Sequence, residues 1–149
     1  IIHAQRASAD GDTQIWGIIG EQKEAAFAAK RVVVTAEEIV DESVIRADPN
    51  RTIIPGLVVS AVCHVPHCAH PSYAQGYYDR DNPFYLEWDR ISSDTEAVKR
   101  WMGEWVYDVK DRNEYWAKLG AGTHERLKVK PKMSGEVNYG EFDHHDPFH

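Results

Sequence analysis

Apolar positions in the first 65 residues fall in short runs broken by turn chemistry, which is the pattern of strands. Residues 1–5 make the first run. The Asp10-Gly11 turn leads to a second at residues 14–19, stopped by Gly20. Residues 21–30 are rich in Ala, Glu, Lys and Gln and predict a helix, with acids at its start and Lys30 at its end, as the helix dipole favours. Residues 31–35 are β-branched and predict a buried strand. Residues 36–40 fit either a turn of helix or a further strand start. Residues 41–50 read as a polar loop, and residues 52–54 as a short strand ended by Pro55-Gly56. Residues 57–65 predict the next strand.

The period then changes. Ser93 with Glu96 has the spacing of a capping box, and the helix it predicts runs to about Val106, with Val98, Trp101, Met102 and Trp105 on one face. Asp111 with Glu114 repeats the box. That helix turns Tyr115, Trp116 and Leu119 inward and stops at Gly120. Strand–helix alternation followed by helices predicts an α/β fold: an open, mostly parallel sheet flanked by helices, with a helical C-terminal cover and the site at the C-terminal ends of the strands. Residues 1–120 are expected to form one domain. Residues 121–149, rich in Lys, Gly and His, are expected as a peripheral or disordered tail, and His144, His145 and His149 belong to it. There is no internal repeat.

Composition narrows the classes. The net charge of −7 argues against a nucleic-acid surface, and no apolar run is long enough for a membrane span. The first twelve residues lack a basic region followed by an apolar one, so no secretory signal is read there. Cys63 and Cys68 do not make a disulfide framework, and a cytoplasmic, reduced protein is expected. Residue 1 is Ile and opens a strand already under way, so the chain is expected to be the back portion of something longer.

The candidate chemistry gathers at residues 64–81, where three histidines, a cysteine, a serine, three tyrosines and a glutamine follow an apolar run. His64, His67 and His70 invite a metal, but Pro66 and Pro71 break the regular spacing that ligands need, and no metal is expected. His70, Ser72, Tyr73 and Gln75 are the expected substrate-binding residues, since imidazole, hydroxyl and amide groups orient a carbonyl or carboxylate. Ser72 lacks the Gly-flanked elbow of a nucleophile. Cys63 reads as core. Tyr77, Tyr78, Phe84, Tyr85 and Trp88 read as packing. Arg80, between Asp79 and Asp81, reads as part of a salt-bridge network, and Glu37 and Glu38 as helix-start acids rather than catalytic carboxylates. No dinucleotide or phosphate-loop motif is present.

The stretches themselves go further. His3-Ala-Gln-Arg-Ala7 with Asp10-Gly11 and Gln14-Ile-Trp-Gly17, then residues 30–40, 49–56 and 69–82, and on through residues 111–120, resemble in order the α subunits of family I coenzyme A-transferases of the glutaconate type. Ser8 and Asp12 stand where that family often has Asp and Asn, and Cys68 where Gly is usual. The resemblance implies the C-terminal half of such an α chain, inactive alone and working in a hetero-oligomer with a β subunit. It implies transfer of CoA from an acyl-CoA to a free carboxylic acid through a glutamyl-CoA intermediate. The nucleophilic glutamate belongs to the β subunit, so no catalytic residue is expected in this chain. The CoA thioester is a substrate, with no permanently bound cofactor. Two alternatives stand beside this reading: a hydrolase subunit that cleaves a carbon–carbon bond in ring-derived CoA thioesters of steroid catabolism, and a non-catalytic structural subunit or fragment.

Overall fold

The structure, a computed structural model, describes residues 1–130. It divides into two compact units, residues 1–66 and 67–130.

The first unit is a five-stranded open sheet in the order β4-β2-β1-β3-β5, formed by β1 (Ile2–Ser8), β2 (Thr13–Gln14), β3 (Val33–Val40), β4 (Thr52–Ile54) and β5 (Ala61–His64). β1 pairs in parallel with β3, and β3 with β5, while β2 runs antiparallel to both β1 and β4. Only β2 opposes the common direction, so the α/β fold and its mostly parallel sheet are as the pattern predicts. Helix α1 (Gln22–Ala28) crosses between β1 and β3. The core is built of small side chains, Ala4, Ala7, Ala26, Val34 and Ala36, with Ile15, Val32 and Ile54. Alanines let backbones approach closely, and close packing makes up for the small area each one buries.

Several boundaries move, each for a physical reason. β3 runs on to Val40, because residues 36–40 find pairing partners along β1, with Arg6 opposite Glu38 and Ser8 opposite Val40. Glu37 and Glu38 are therefore strand residues and not helix-start acids. The expected loop at residues 41–50 holds helix α2 (Glu42–Ala47): Asp41 caps it by accepting from Ser43 N–H at 2.9 Å, and Ile45 is buried. The second run ends as a strand at Gln14, and residues 57–65 supply only β5 after a 3₁₀ turn at Gly56–Val58. Cys63, expected in the core, is exposed on β5.

Polar side chains brace this unit where strands end. Gln5 donates from Nε2 to the Trp16 carbonyl at 2.9 Å and accepts from Trp16 N–H, replacing ladder bonds that β2 does not continue. Gln14 donates to the carbonyls of Ile45 and Asp48, satisfying the C-terminal end of α2. Asp12 accepts from Gly56 N–H at 2.6 Å. A Cβ at Gly56 would lie 2.4 Å from the Asp10 carbonyl oxygen, so only glycine admits this approach. The guanidinium groups of Arg6 and Arg51 lie over the Trp16 ring at 5.6 and 4.6 Å.

The second unit is helical: α3 (Asn82–Ser92), α4 (Thr95–Met102) continuing as a π-helical turn (Gly103–Tyr107), and α5 (Arg112–Leu127). The hydrophobic pattern does not predict α3. Its start is set by Asp81, which accepts from Phe84 N–H, and by Pro83 in the first turn. Ser93 ends α3, and Asp94 rather than Ser93 caps α4, accepting from Glu96 N–H. The Asp111 cap holds as read. Gly120 breaks α5 with φ 80°, but helix resumes beyond it to Leu127, which is buried with Ala74 and Tyr78. A peripheral tail thus does not begin at residue 121. The remainder of the expected tail, with its histidines, lies outside the described residues.

Candidate functional site

The loop between β5 and α3 places its polar residues in different surroundings. His70 is fully buried, its side chain 0% exposed. Its Nδ1 is 2.9 Å from the Tyr115 hydroxyl, and its Nε2 is 3.1 Å from Asp81 Oδ2. Asp81 is itself 3% exposed, and it also accepts from Arg126 at 3.0 and 3.2 Å and from Phe84 N–H. Burial pushes the His70 imidazole below its ordinary 6.5, against the opposing pull of Asp81. Burial alone would raise Asp81, yet the hydrogen bonds from His70, Arg126 and Phe84 N–H outweigh it and hold the carboxyl below 3.8. Burial also raises the Tyr115 phenol. These directions assign one proton arrangement at neutral pH: Tyr115 O–H donates to Nδ1 of a neutral imidazole, whose Nε2–H donates to the Asp81 carboxylate.

The other expected site residues are outside that chain of bonds. Ser72 is half-buried, and its backbone N–H closes a turn onto the Ala69 carbonyl. Tyr73 and Gln75 are exposed. The three histidines diverge: His64 Nε2 meets the Glu37 carbonyl at 3.0 Å, while His67 stacks on Trp116 at 3.9 Å. Trp116 carries His124 on its other side at 4.5 Å. Arg80 lies over the Tyr85 ring at 4.2 Å, and the partner of Asp81 is Arg126, not its sequence neighbour. Among the described residues no group of three histidine, cysteine or acidic side chains could hold a metal ion.

Two groupings lay beyond the reach of the motif reading. In the sheet unit His3 bridges Thr35 Oγ1 at 3.0 Å and the buried Glu37 carboxylate at 2.7 Å. Parallel pairing puts His3 opposite Thr35, two positions before Glu37 on the same face, so strand register makes this pair. In the helical unit an aromatic cavity of about 490 Å³ is lined by His70, Phe84, Trp88, Trp101, Arg112 and Tyr115 among others. The Asp111 cap signalled that Arg112 opens a helix. Nothing local in the chain signalled that this helix faces residue 70, 45 positions away.

An open, mostly parallel α/β sheet whose strand-end turns are braced by Gln5, Asp12 and Gln14, followed by an aromatic helical unit, defines a class of scaffold. Comparison places it in a family. Residues 1–64 match the model of the family described as Coenzyme A transferase. The chain is 51% identical over 122 residues to the A subunit of 3-oxoadipate CoA-transferase from Pseudomonas knackmussii, covering 82% of this chain and 43% of that protein. It is 44% identical over 143 residues to the A subunit of glutaconate CoA-transferase from Acidaminococcus fermentans, covering 96% of this chain and 45% of that one. The crystal structure of glutaconate coenzyme A-transferase from Acidaminococcus fermentans superposes with a TM-score of 0.83 at 44% identity, over 92% of this chain and 44% of that chain. A decarboxylase, AibA/AibB, shares the fold alone, with a TM-score of 0.51 at 23% identity over 66% of this chain and 35% of that one. The chain belongs to the coenzyme A transferase family, and its likeness is to the A subunits. It spans less than half the length of the curated relatives it matches.

Proposed function

We propose that this chain is part of the A subunit of a CoA-transferase that moves CoA from an acyl-CoA to a free carboxylic acid in a hetero-oligomer with a β subunit. The observation that carries this reading is the 51% and 44% identity to two CoA-transferase A subunits along most of the chain. The chemistry needs a carboxylate that attacks the thioester carbonyl, giving an acyl-glutamyl anhydride and the CoA thiolate. The thiolate then attacks the glutamyl carbonyl and releases the first acid, leaving a glutamyl-CoA thioester. We assign the glutamate to the β subunit. Both relatives are named for dicarboxylic acids, and a dicarboxylate is the first acyl group to try. Ser72, Tyr73 and Gln75 form the polar part of the acyl-pocket wall in this reading, and His70 fixes the same loop through its bonds with Tyr115 and Asp81. A cytoplasmic location, where free CoA thioesters and carboxylic acids meet, fits it. Among the described residues no helix is long and apolar enough to cross a membrane.

The test uses the intact protein with its β partner. Acyl-CoA supplied without an acceptor should leave CoA bound as a thioester to a β-subunit glutamate, seen by mass spectrometry of the peptide. Borohydride should then reduce that thioester and abolish transfer. Ser72→Ala and Gln75→Ala should lower kcat/KM about tenfold each while leaving the unfolding midpoint in place. Release of free CoA to water without transfer to an acid, or consumption of acyl-CoA with carbon–carbon cleavage, overturns the transferase reading.

A further inference from the structure

The aromatic cavity of the helical unit has a cation at its wall that forms no ion pair among the described residues. Arg112 donates from its guanidinium to the His67 carbonyl, lies over the Tyr115 ring at 4.3 Å and sits beside the Tyr115 hydroxyl. All of these partners are neutral. Its Nε is buried and has no hydrogen-bond partner, and among the described residues no carboxylate forms an ion pair with it. A half-buried guanidinium with an idle N–H costs free energy unless an anion meets it. The buried carboxylate of this unit, Asp81, is already held by His70 and Arg126.

The rest of the wall is aromatic. Trp88 and Trp101 meet edge to face at 4.8 Å, Phe84 meets Trp101 at 6.2 Å, and Trp105 meets Tyr115 at 5.7 Å. Rings packed edge to face leave ring faces open to a flat body. About 490 Å³ is in the range of small-molecule sites, which pair an apolar wall with a few placed polar groups. We propose that this cavity binds a flat organic carboxylate, its body stacked among Phe84, Trp88, Trp101 and Trp105 and its charge received by Arg112. Guanidinium and carboxylate match in shape as well as charge, which separates this ligand class from a neutral ring compound of equal size.

The probes are trans-cinnamate and its neutral counterpart cinnamyl alcohol, titrated into the intact protein together with any partner that copurifies. Binding is followed by calorimetry and by quenching of tryptophan fluorescence. Cinnamate should bind saturably and at least about tenfold more tightly than the alcohol, as a charge-assisted bond to a partly desolvated cation requires. Arg112→Gln should weaken cinnamate by about the same factor and leave the alcohol unchanged. Val106→Trp, which adds a large ring at a partly exposed position of the cavity lining, should weaken both. Should Arg112→Gln not fold, the cinnamate–alcohol ratio in the unaltered protein decides. A ratio near one, no binding of cinnamate, or unchanged cinnamate binding in folded Arg112→Gln overturns the proposal. The readout needs no turnover, so a failed transfer assay and a failed binding assay remain separate results.

Discussion

Replacing Asp81 by Asn keeps the shape of the side chain and removes its charge, and the structure sets the cost. The carboxylate receives N–H groups from His70, Arg126 and Phe84 while 3% exposed. Asn retains an acceptor oxygen for Phe84 N–H and for one contact of Arg126. The Arg126 side chain is 46% exposed, so the lost charge attraction there is screened and contributes only about 1 kcal/mol. The charge-assisted bond from His70 is lost. The imidazole must move its proton to Nδ1, toward the Tyr115 hydroxyl, to accept from the new amide N–H₂, and exchanging the charged acceptor for this neutral bond costs about 1–3 kcal/mol. The total is about 3 kcal/mol, equivalent to a fall of at least about 10 °C in the melting of a unit this small. Urea titration read by tryptophan fluorescence checks it. Trp88, Trp101, Trp105 and Trp116 lie in the helical unit and only Trp16 in the sheet unit, so the signal reports mainly the unit that contains Asp81. A loss below about 1 kcal/mol refutes the view that this carboxylate anchors the unit.

The same cluster makes stability fall with acid in two stages. His70 has a folded pKa below its ordinary 6.5, so the unfolded chain takes up the proton first. Its contribution is complete above pH 6.5 and is lost as pH falls from there through the lower folded value. Asp81 is also depressed, so its contribution is complete above 3.8 and is lost as pH falls below that. Unfolding free energy measured against pH should show both slopes, and folded His70→Gln should lack the first. Gly56→Ala should destabilise the sheet unit by about 2 kcal/mol or more in chemical denaturation, because its Cβ meets a backbone oxygen that cannot yield. Gln5→Leu strips the Trp16 peptide groups of both side-chain bonds and should cost about 1–3 kcal/mol, with faster amide exchange at Trp16.

Turn and cap residues were the most legible part of this chain. Asp10-Gly11, Pro55-Gly56, Asp111 with Glu114 and the break at Gly120 each appear where local chemistry puts them, because capping and positive φ depend on a few adjacent residues. The α/β character was legible for the same reason, through β-branched runs and one alanine-rich helix. Family motifs carried the chain further than its periodicity could. Helix α2 was missed because six residues hold too little pattern, although Asp41 marked its start.

By itself, then, the sequence determined most turns and caps, the mostly parallel sheet and the family, while helices α2 and α3 emerged only in the structure. Tertiary structure alone decided what each polar residue does. His3 meets Glu37 through strand register across 34 positions, and His70 meets Tyr115 across 45. Asp81 chooses Arg126 over the adjacent Arg80, and Arg112 comes to the wall of an aromatic cavity. The physical reason is range. Backbone propensity and capping act within a turn of chain. Burial, charge compensation and cavity shape are set by segments far apart in the sequence, and they exist only once those segments pack.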